Sequence, residues 1–144
     1  NVGSVFRSAE AFGVDAVLVS PGCCDPFYRK AIRTSSGALL VVPWAAAAPW
    51  PDALDRLRGA GFVVAALTPD RDAADIGSFV ETSGARGRMA VLLGTEGEGL
   101  TAGALARADV RLRIPMSGAL DSLNIATAAG IALHRLHEAR RRAG

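Results

Sequence analysis

Short uninterrupted apolar runs, set between segments of helical period, constrain this chain more than any other feature. Asp15 to Ser20 (DAVLVS), Leu39 to Val42, Phe62 to Leu67 (FVVAAL) and Met89 to Leu93 (MAVLL) carry apolar residues at consecutive positions, and a fifth strand, Val110 to Ile114 (VRLRI), alternates. A strand of the consecutive kind is buried on both faces, as in parallel sheets covered by helices. Between the runs lie helical patterns. Val2, Val5, Phe6, Ala9 and Phe12 mark a helix over 2–12 that Gly13 stops. Residues 26–35 form a second, with Arg29, Lys30 and Arg33 near one side. Asp52 to Arg58 form a third, ended by Gly59 and Gly61, and Thr101 N-caps a fourth that runs to Arg107. A long helix starts at Ser122 and runs to about Arg142, with an apolar stripe of Ile125, Ala129, Ala132, Leu133 and Leu136. Ala45 to Trp50 receives no assignment, and 69–88 reads as loop with a helical turn. Strands alternating with helices predict an α/β fold, a mostly parallel sheet with helices on both faces. Ligands in such folds sit beyond the carboxyl ends of the strands.

The chain is 144 residues long, the size of one domain, with no internal repeat or linker. Its net charge of +2 permits nucleic acid without demanding it. Lys30 is the sole lysine among sixteen basic residues, so phosphate contacts would fall mostly to arginine. The two cysteines, Cys23 and Cys24, are neighbours. They suit neither a disulfide framework nor a metal site, and a reducing cytoplasm fits them best. No apolar run reaches the ~18 residues of a membrane span. The chain opens Asn1-Val2-Gly3, with no initiator methionine and no basic leader, and reads as a piece of something longer.

Three segments could carry chemistry. In the first, Asn1 to Gly13, Arg7 lies on the polar side of an otherwise buried helix, where a solvated arginine is the plainer reading. The second, Leu93-Gly94-Thr95-Glu96-Gly97-Glu98-Gly99, lets backbone approach a ligand or simply turns the chain. It is neither a dinucleotide fingerprint nor a P-loop, and Glu96 is a positioned carboxylate or an exposed one. The third runs from Ile114-Pro115-Met116 through Gly118 to Ser122-Leu123-Asn124. Ser122 reads as a helix N-cap, with Asn124 in the first turn. Ala126, Ala128, Ala129 and Gly130 allow close packing, in the core or at a subunit interface. His134 and His137, lacking a third ligand, read as surface histidines, and Arg140, Arg141 and Arg142 suit the helix dipole. Trp44 and Trp50 read as core or interface anchors.

Taken in order, these segments resemble the SpoU (TrmH-like) family of RNA ribose 2′-O-methyltransferases, of the SPOUT class. The family's asparagine-arginine motif is matched by Asn1, Gly3, Arg7, Ser8, Ala9, Phe12 and Gly13. Its glycine-glutamate motif is matched by Leu93, Gly94, Glu96 and Gly99. Its third motif is matched by Ile114, Pro115, Met116, Gly118, Ser122, Leu123 and Asn124. The resemblance covers nearly the whole chain. It departs in lacking the family's first strand and the N-terminal RNA-binding domain of many members. Asn124-Ile125-Ala126-Thr127 also replaces the commoner Asn-Val-Ser-Val. Residues 1–144 would thus be a catalytic domain clipped at its start.

The resemblance implies a C-terminal deep trefoil knot, a homodimer, an RNA substrate (tRNA or rRNA), and S-adenosylmethionine as cofactor, with no metal. The implied cofactor pocket is built by the loops after the third, fourth and fifth predicted strands. It takes in Leu67, Thr68 and Pro69, then Gly94, Glu96 and Gly97, then Ile114, Pro115, Met116 and Leu123. Arg7 matches the family's catalytic arginine, Asn1 and Ser122 its ribose- or phosphate-placing residues. Glu96 would orient Arg7 or a group across a dimer, and Asn124 would hold the knot loop. A guanidinium gives up its proton poorly, so Arg7 is expected to clamp phosphate and stabilise charge rather than act as a base. The alternatives are a methyltransferase acting on an RNA base and a silent RNA-binding knot domain. A nicotinamide-binding domain is a more distant third.

Overall fold

The computed structural model describes residues 1–23, 29–82, 86–95 and 97–144. Helix α1 (Val2–Ala11) leads to β1 (Val17–Val19), and α2 (Arg29–Thr34) is followed by a single 3-10 turn, Ala38–Leu40. Strand β2 (Trp44–Ala46), α3 (Asp52–Gly59) and β3 (Phe62–Leu67) come next. The remainder is β4 (Ala74–Asp75), α4 (Ile76–Thr82), β5 (Arg88–Leu92), α5 (Ala102–Ala106), β6 (Val110–Arg113) and α6 (Ile125–Ala143).

Every strand pair is parallel. Strands β1 and β2 form one small sheet, and the other four form a second in the order β4-β6-β3-β5. The uninterrupted apolar sequence of β3 is explained by its neighbours. Val64 and Ala66 face a cluster with Leu54 of α3, Leu92 and Ala104 of α5. Ala65 faces the opposite cluster, with Ile76, Leu112 and Ala132 of α6. Helices therefore cover both faces of the larger sheet. Leu54 is 1% exposed, a burial that contributes roughly 1.5–3 kcal/mol. A third cluster, Phe6, Ala9, Ala31, Ala38, Leu39 and Val42, binds α1 to α2 and the 3-10 turn.

Three expectations are corrected. Leu39 to Val42 is not a strand: Gly37 and Ser36 turn the chain at φ +88° and +52°. Leu40 N then donates to Gly37 O at 2.9 Å, and Val42 N to Ala38 O at 2.9 Å. Those local bonds satisfy the backbone without a neighbour. The strand follows instead at Trp44–Ala46, where alanine gives little intrinsic signal and pairing with β1 decides the conformation. The stretch 69–88 holds β4 and α4, with Asp75 Oδ1 accepting from Gly77 N at 2.7 Å at the start of the helix. The long helix starts at Ile125, not Ser122. Its N-cap is Asn124, whose Oδ1 accepts from Ala126 N at 2.9 Å and Thr127 N at 3.3 Å. Residues 26–28 of the second expected helix, and Cys24, lie outside the described residues. Trp44 is half-buried against the Phe6 cluster and Trp50 against the Leu54 cluster, as anchors.

Candidate cofactor and active site

The register of the larger sheet brings three loops to one edge. Ala66 of β3 pairs with Leu92 of β5, and Leu67 pairs with Leu112 of β6. Thr68 N extends the ladder by donating to Leu112 O at 2.9 Å. The chain thus leaves β3 at Thr68, β5 at Leu93-Gly94 and β6 at Ile114 side by side, at the carboxyl ends of parallel strands.

Each loop is shaped locally. Thr68 Oγ1 accepts from Asp70 N at 3.3 Å, a serine/threonine turn that folds the chain after β3. After β5, Thr95 and Gly99 exchange backbone bonds of 3.2 and 3.0 Å around a tight turn in which Gly97 and Gly99 adopt φ +84° and +70°. Gly94 faces that turn with no room for a side chain: a Cβ would strike Gly99 and come within 2.6 Å of Leu100 N. After β6, Arg113 Nε donates to Ala73 O at 3.2 Å, tying the strand to the segment before β4. Leu67, Ile114 and Leu123 are half-buried, Pro115 is exposed and Met116 is 37% exposed, so apolar surface remains open at this edge. Ser122 is also exposed.

The asparagine-arginine segment reaches the same edge through α6. Ser8 Oγ lies 3.5 Å from where a Cβ on Gly130 would stand, and Phe12 meets His134 edge-on at 5.4 Å between ring centroids. Both contacts advance together along the two helices, so α1 and α6 run parallel and their N-termini share one end of the domain. Asn1 holds the N-cap position of α1, and the Asn124 side chain caps α6. Arg7 is exposed and forms no ion pair among the described residues. Other arginines are engaged: Arg107 with Asp52 and Asp55, Arg58 with Asp109. Glu96 lies outside the described residues. Sequence reasoning missed the Asn124 cap, although an asparagine directly before a helical stripe carries that signal. His134 is exposed and His137 half-buried, as expected of surface histidines, and both rings lie against Phe12. No group of three His, Cys, Asp or Glu side chains among the described residues could hold a metal ion. No described helix is long and apolar enough to cross a membrane.

This layout defines an open α/β domain, of the kind in which ligands sit beyond the carboxyl ends of the parallel strands. The model of the SpoU rRNA methylase family matches residues 1–134, and the chain belongs to that family. It is 48% identical over 134 residues to an uncharacterised tRNA/rRNA methyltransferase of Mycobacterium tuberculosis H37Rv, covering 93% of this chain and 46% of the relative. It is 31% identical to the 23S rRNA (guanosine(2553)-2′-O)-methyltransferase RlmP of Bacillus subtilis, covering 94% of this chain and 52% of that one. Among solved structures it resembles an RNA 2′-O ribose methyltransferase, with TM-score 0.83, 34% identity, and coverage of 97% of this chain and 52% of the other. The SpoU methyltransferase AviRb of Streptomyces viridochromogenes, solved with S-adenosylmethionine, aligns with TM-score 0.83 at 29% identity, over 99% of this chain and 56% of that one. The chain spans about half the length of the relatives it matches.

Proposed function

We propose that residues 1–144 are the catalytic domain of an S-adenosylmethionine-dependent RNA methyltransferase acting on a ribose 2′-hydroxyl of tRNA or rRNA. The observation that carries this reading is the strand register, which sets Thr68, Gly94 and Ile114 beside one another at the edge that the N-termini of α1 and α6 also approach. Ribose rather than base is favoured by the 2′-O specificity named for two of the relatives.

The donor set fits the cofactor. Backbone amides and carbonyls of three loops, with partly open Leu67, Ile114 and Leu123, suit an adenine edge and face. Gly94 and Gly97 keep side chains out of the way, while Thr68, Pro115 and Met116 complete the wall. When bound, the cofactor supplies a methyl group on a sulfonium, which needs no metal to make it leave.

The chain's own residues position the acceptor and stabilise the charge left on it as its proton passes to water. Arg7 clamps an RNA phosphate and stabilises the negative charge that grows on the 2′-oxygen. Asn1 and Ser122 place ribose or phosphate, and Glu96 orients Arg7 or a group across a dimer. Asn124 acts by capping α6, which fixes the end of the loop that carries Ser122. Holding two reactants in line can itself lower a barrier by ~7–11 kcal/mol.

The same reading includes a threaded C-terminal knot, a homodimer and a reducing cytoplasm. The knot is supported by β6, nearly the last element, lying between the earlier β3 and β4. The dimer is supported by Met116, Leu120 and Ile131, which leave apolar side chains exposed on the third motif and α6. The adjacent pair Cys23 and Cys24 suits the compartment.

The test is methylation of total RNA by the full-length protein with labelled cofactor, followed by nuclease digestion and mass spectrometry. Label in 2′-O-methylnucleotides is the expected result. Label on a base would replace ribose by base chemistry, and no turnover with retained RNA binding would leave a silent module.

A further inference from the structure

The described arginines divide into those held by a partner within the chain and those that are not. Arg58 and Arg107 are paired with aspartates, and Arg88 donates to Ala60 O at 3.1 Å. On α2, Arg29, Lys30 and Arg33 are all exposed, and none meets a carboxylate among the described residues. Arg29 and Arg33 stand at i and i+4, a like-charge spacing that weakens an isolated helix. A six-residue helix carrying three cations is poorly compensated from within.

Its position gives this face a use. Gly3 of α1 is pressed against α2, where a Cβ would strike Ala31 O and Thr34 Oγ1. Ala31 and Thr34 therefore mark the side of α2 turned to α1. Helical spacing then puts Arg29 and Arg33 on the opposite side, with Lys30 at the flank. Arg7 is one turn beyond Gly3, on nearly the same face of α1. Arg7 therefore lies on the side of α1 that is turned to α2. Glu10, a further turn along α1, is a carboxylate on this side, and among the described residues it makes no ion pair with any of the three.

We propose that Arg29, Lys30 and Arg33 form a phosphate-binding rail for RNA, holding the backbone that flanks the nucleotide presented to Arg7. The inference rests on the RNA methyltransferase reading and adds to it a surface that sets substrate affinity. Contacts of this kind are sequence-independent and position the strand without choosing bases. They release counterions, so they register in the salt dependence of binding.

The experiment uses full-length protein and a fluorescein-labelled 30-nucleotide RNA stem-loop of arbitrary sequence, titrated over a range of KCl concentrations. The R29A/K30A/R33A variant is compared with wild type and with an R141A/R142A control on the far end of α6. The slope of log affinity against log salt is expected to fall by about 2–3 in the α2 variant, at ~0.7–0.9 per lost phosphate contact, and to change by less than about 1 in the control. KM for total RNA should rise with kcat within about twofold, and S-adenosylhomocysteine affinity should not change. An unchanged slope in a variant that folds and binds S-adenosylhomocysteine overturns the rail. So does selective loss of binding to phosphatidylglycerol vesicles with RNA binding intact. Wild-type protein that neither binds the stem-loop nor methylates RNA sinks the underlying function, a result distinct from either.

Discussion

Phe12 and His134 meet edge-on, with ring centroids 5.4 Å apart. The pair is one fixed point between α1 and α6, and Ser8 against Gly130 is another. Together they turn two sequence-distant motifs into neighbours, because the helices that carry them keep a common register.

Phe12→Ala should loosen that register. The side chain is half-buried, so the cost should be roughly 1–3 kcal/mol, below the ~3–5 of a fully buried phenylalanine. Urea unfolding gives the stability change. Methyl transfer should fall by more than the loss of folded protein explains, and activity that tracks folded fraction alone would disconnect the helix pair from the chemistry.

Gly3→Ala tests the contact between α1 and α2. Thr34 can rotate away from an added methyl, but the carbonyl of Ala31 is backbone and cannot. Overpacking of this kind costs about 1–3 kcal/mol. The double variant Gly3→Ala with Thr34→Ala should recover little of it in thermal melts, since the backbone clash persists.

Arg7→Ala should reduce methyl transfer by at least ~100-fold, the scale of losing a charge-stabilising group. Arg7 is exposed and unpaired among the described residues, so stability should stay within ~0.5 kcal/mol. Calorimetric titration with S-adenosylhomocysteine should match wild type; its loss would move Arg7 into the cofactor site.

Asn124→Ala should cost ~0.5–2 kcal/mol by stripping the cap from α6, whereas Asn124→Asp should retain most of the stability. Ser122→Ala should leave the melting temperature unchanged and lower activity. The opposite pattern would return the cap to Ser122.

Gly94→Ala should weaken S-adenosylhomocysteine binding by tenfold or more, because the turn from Thr95 to Gly99 must move to admit the methyl. Far-ultraviolet circular dichroism should show the fold retained.

Much of this was legible in the residues. Val64, Ala65 and Ala66 in succession state that both sides of β3 are covered, and the structure covers both. Strand ends pointed to the residues after every strand, and the choice of the loops after β3, β5 and β6 came from the family resemblance. What stayed hidden was set by partners remote in sequence. Trp44–Ala46 is a strand because β1 lies alongside it, and nothing in three such residues says so. Leu39 has strand-like neighbours but turns helical because Gly37 sits at φ +88° before it. The Asn124 cap was visible in principle and was masked by an equally good capping residue two positions earlier.

Strand β6 is made late yet belongs inside the sheet, between β3 and β4. On the ribosome, β4 has no ladder to join until Val110–Arg113 has emerged. Nascent chains halted before that point carry an open seam through their middle, so the sheet closes only once Arg113 has left the exit tunnel.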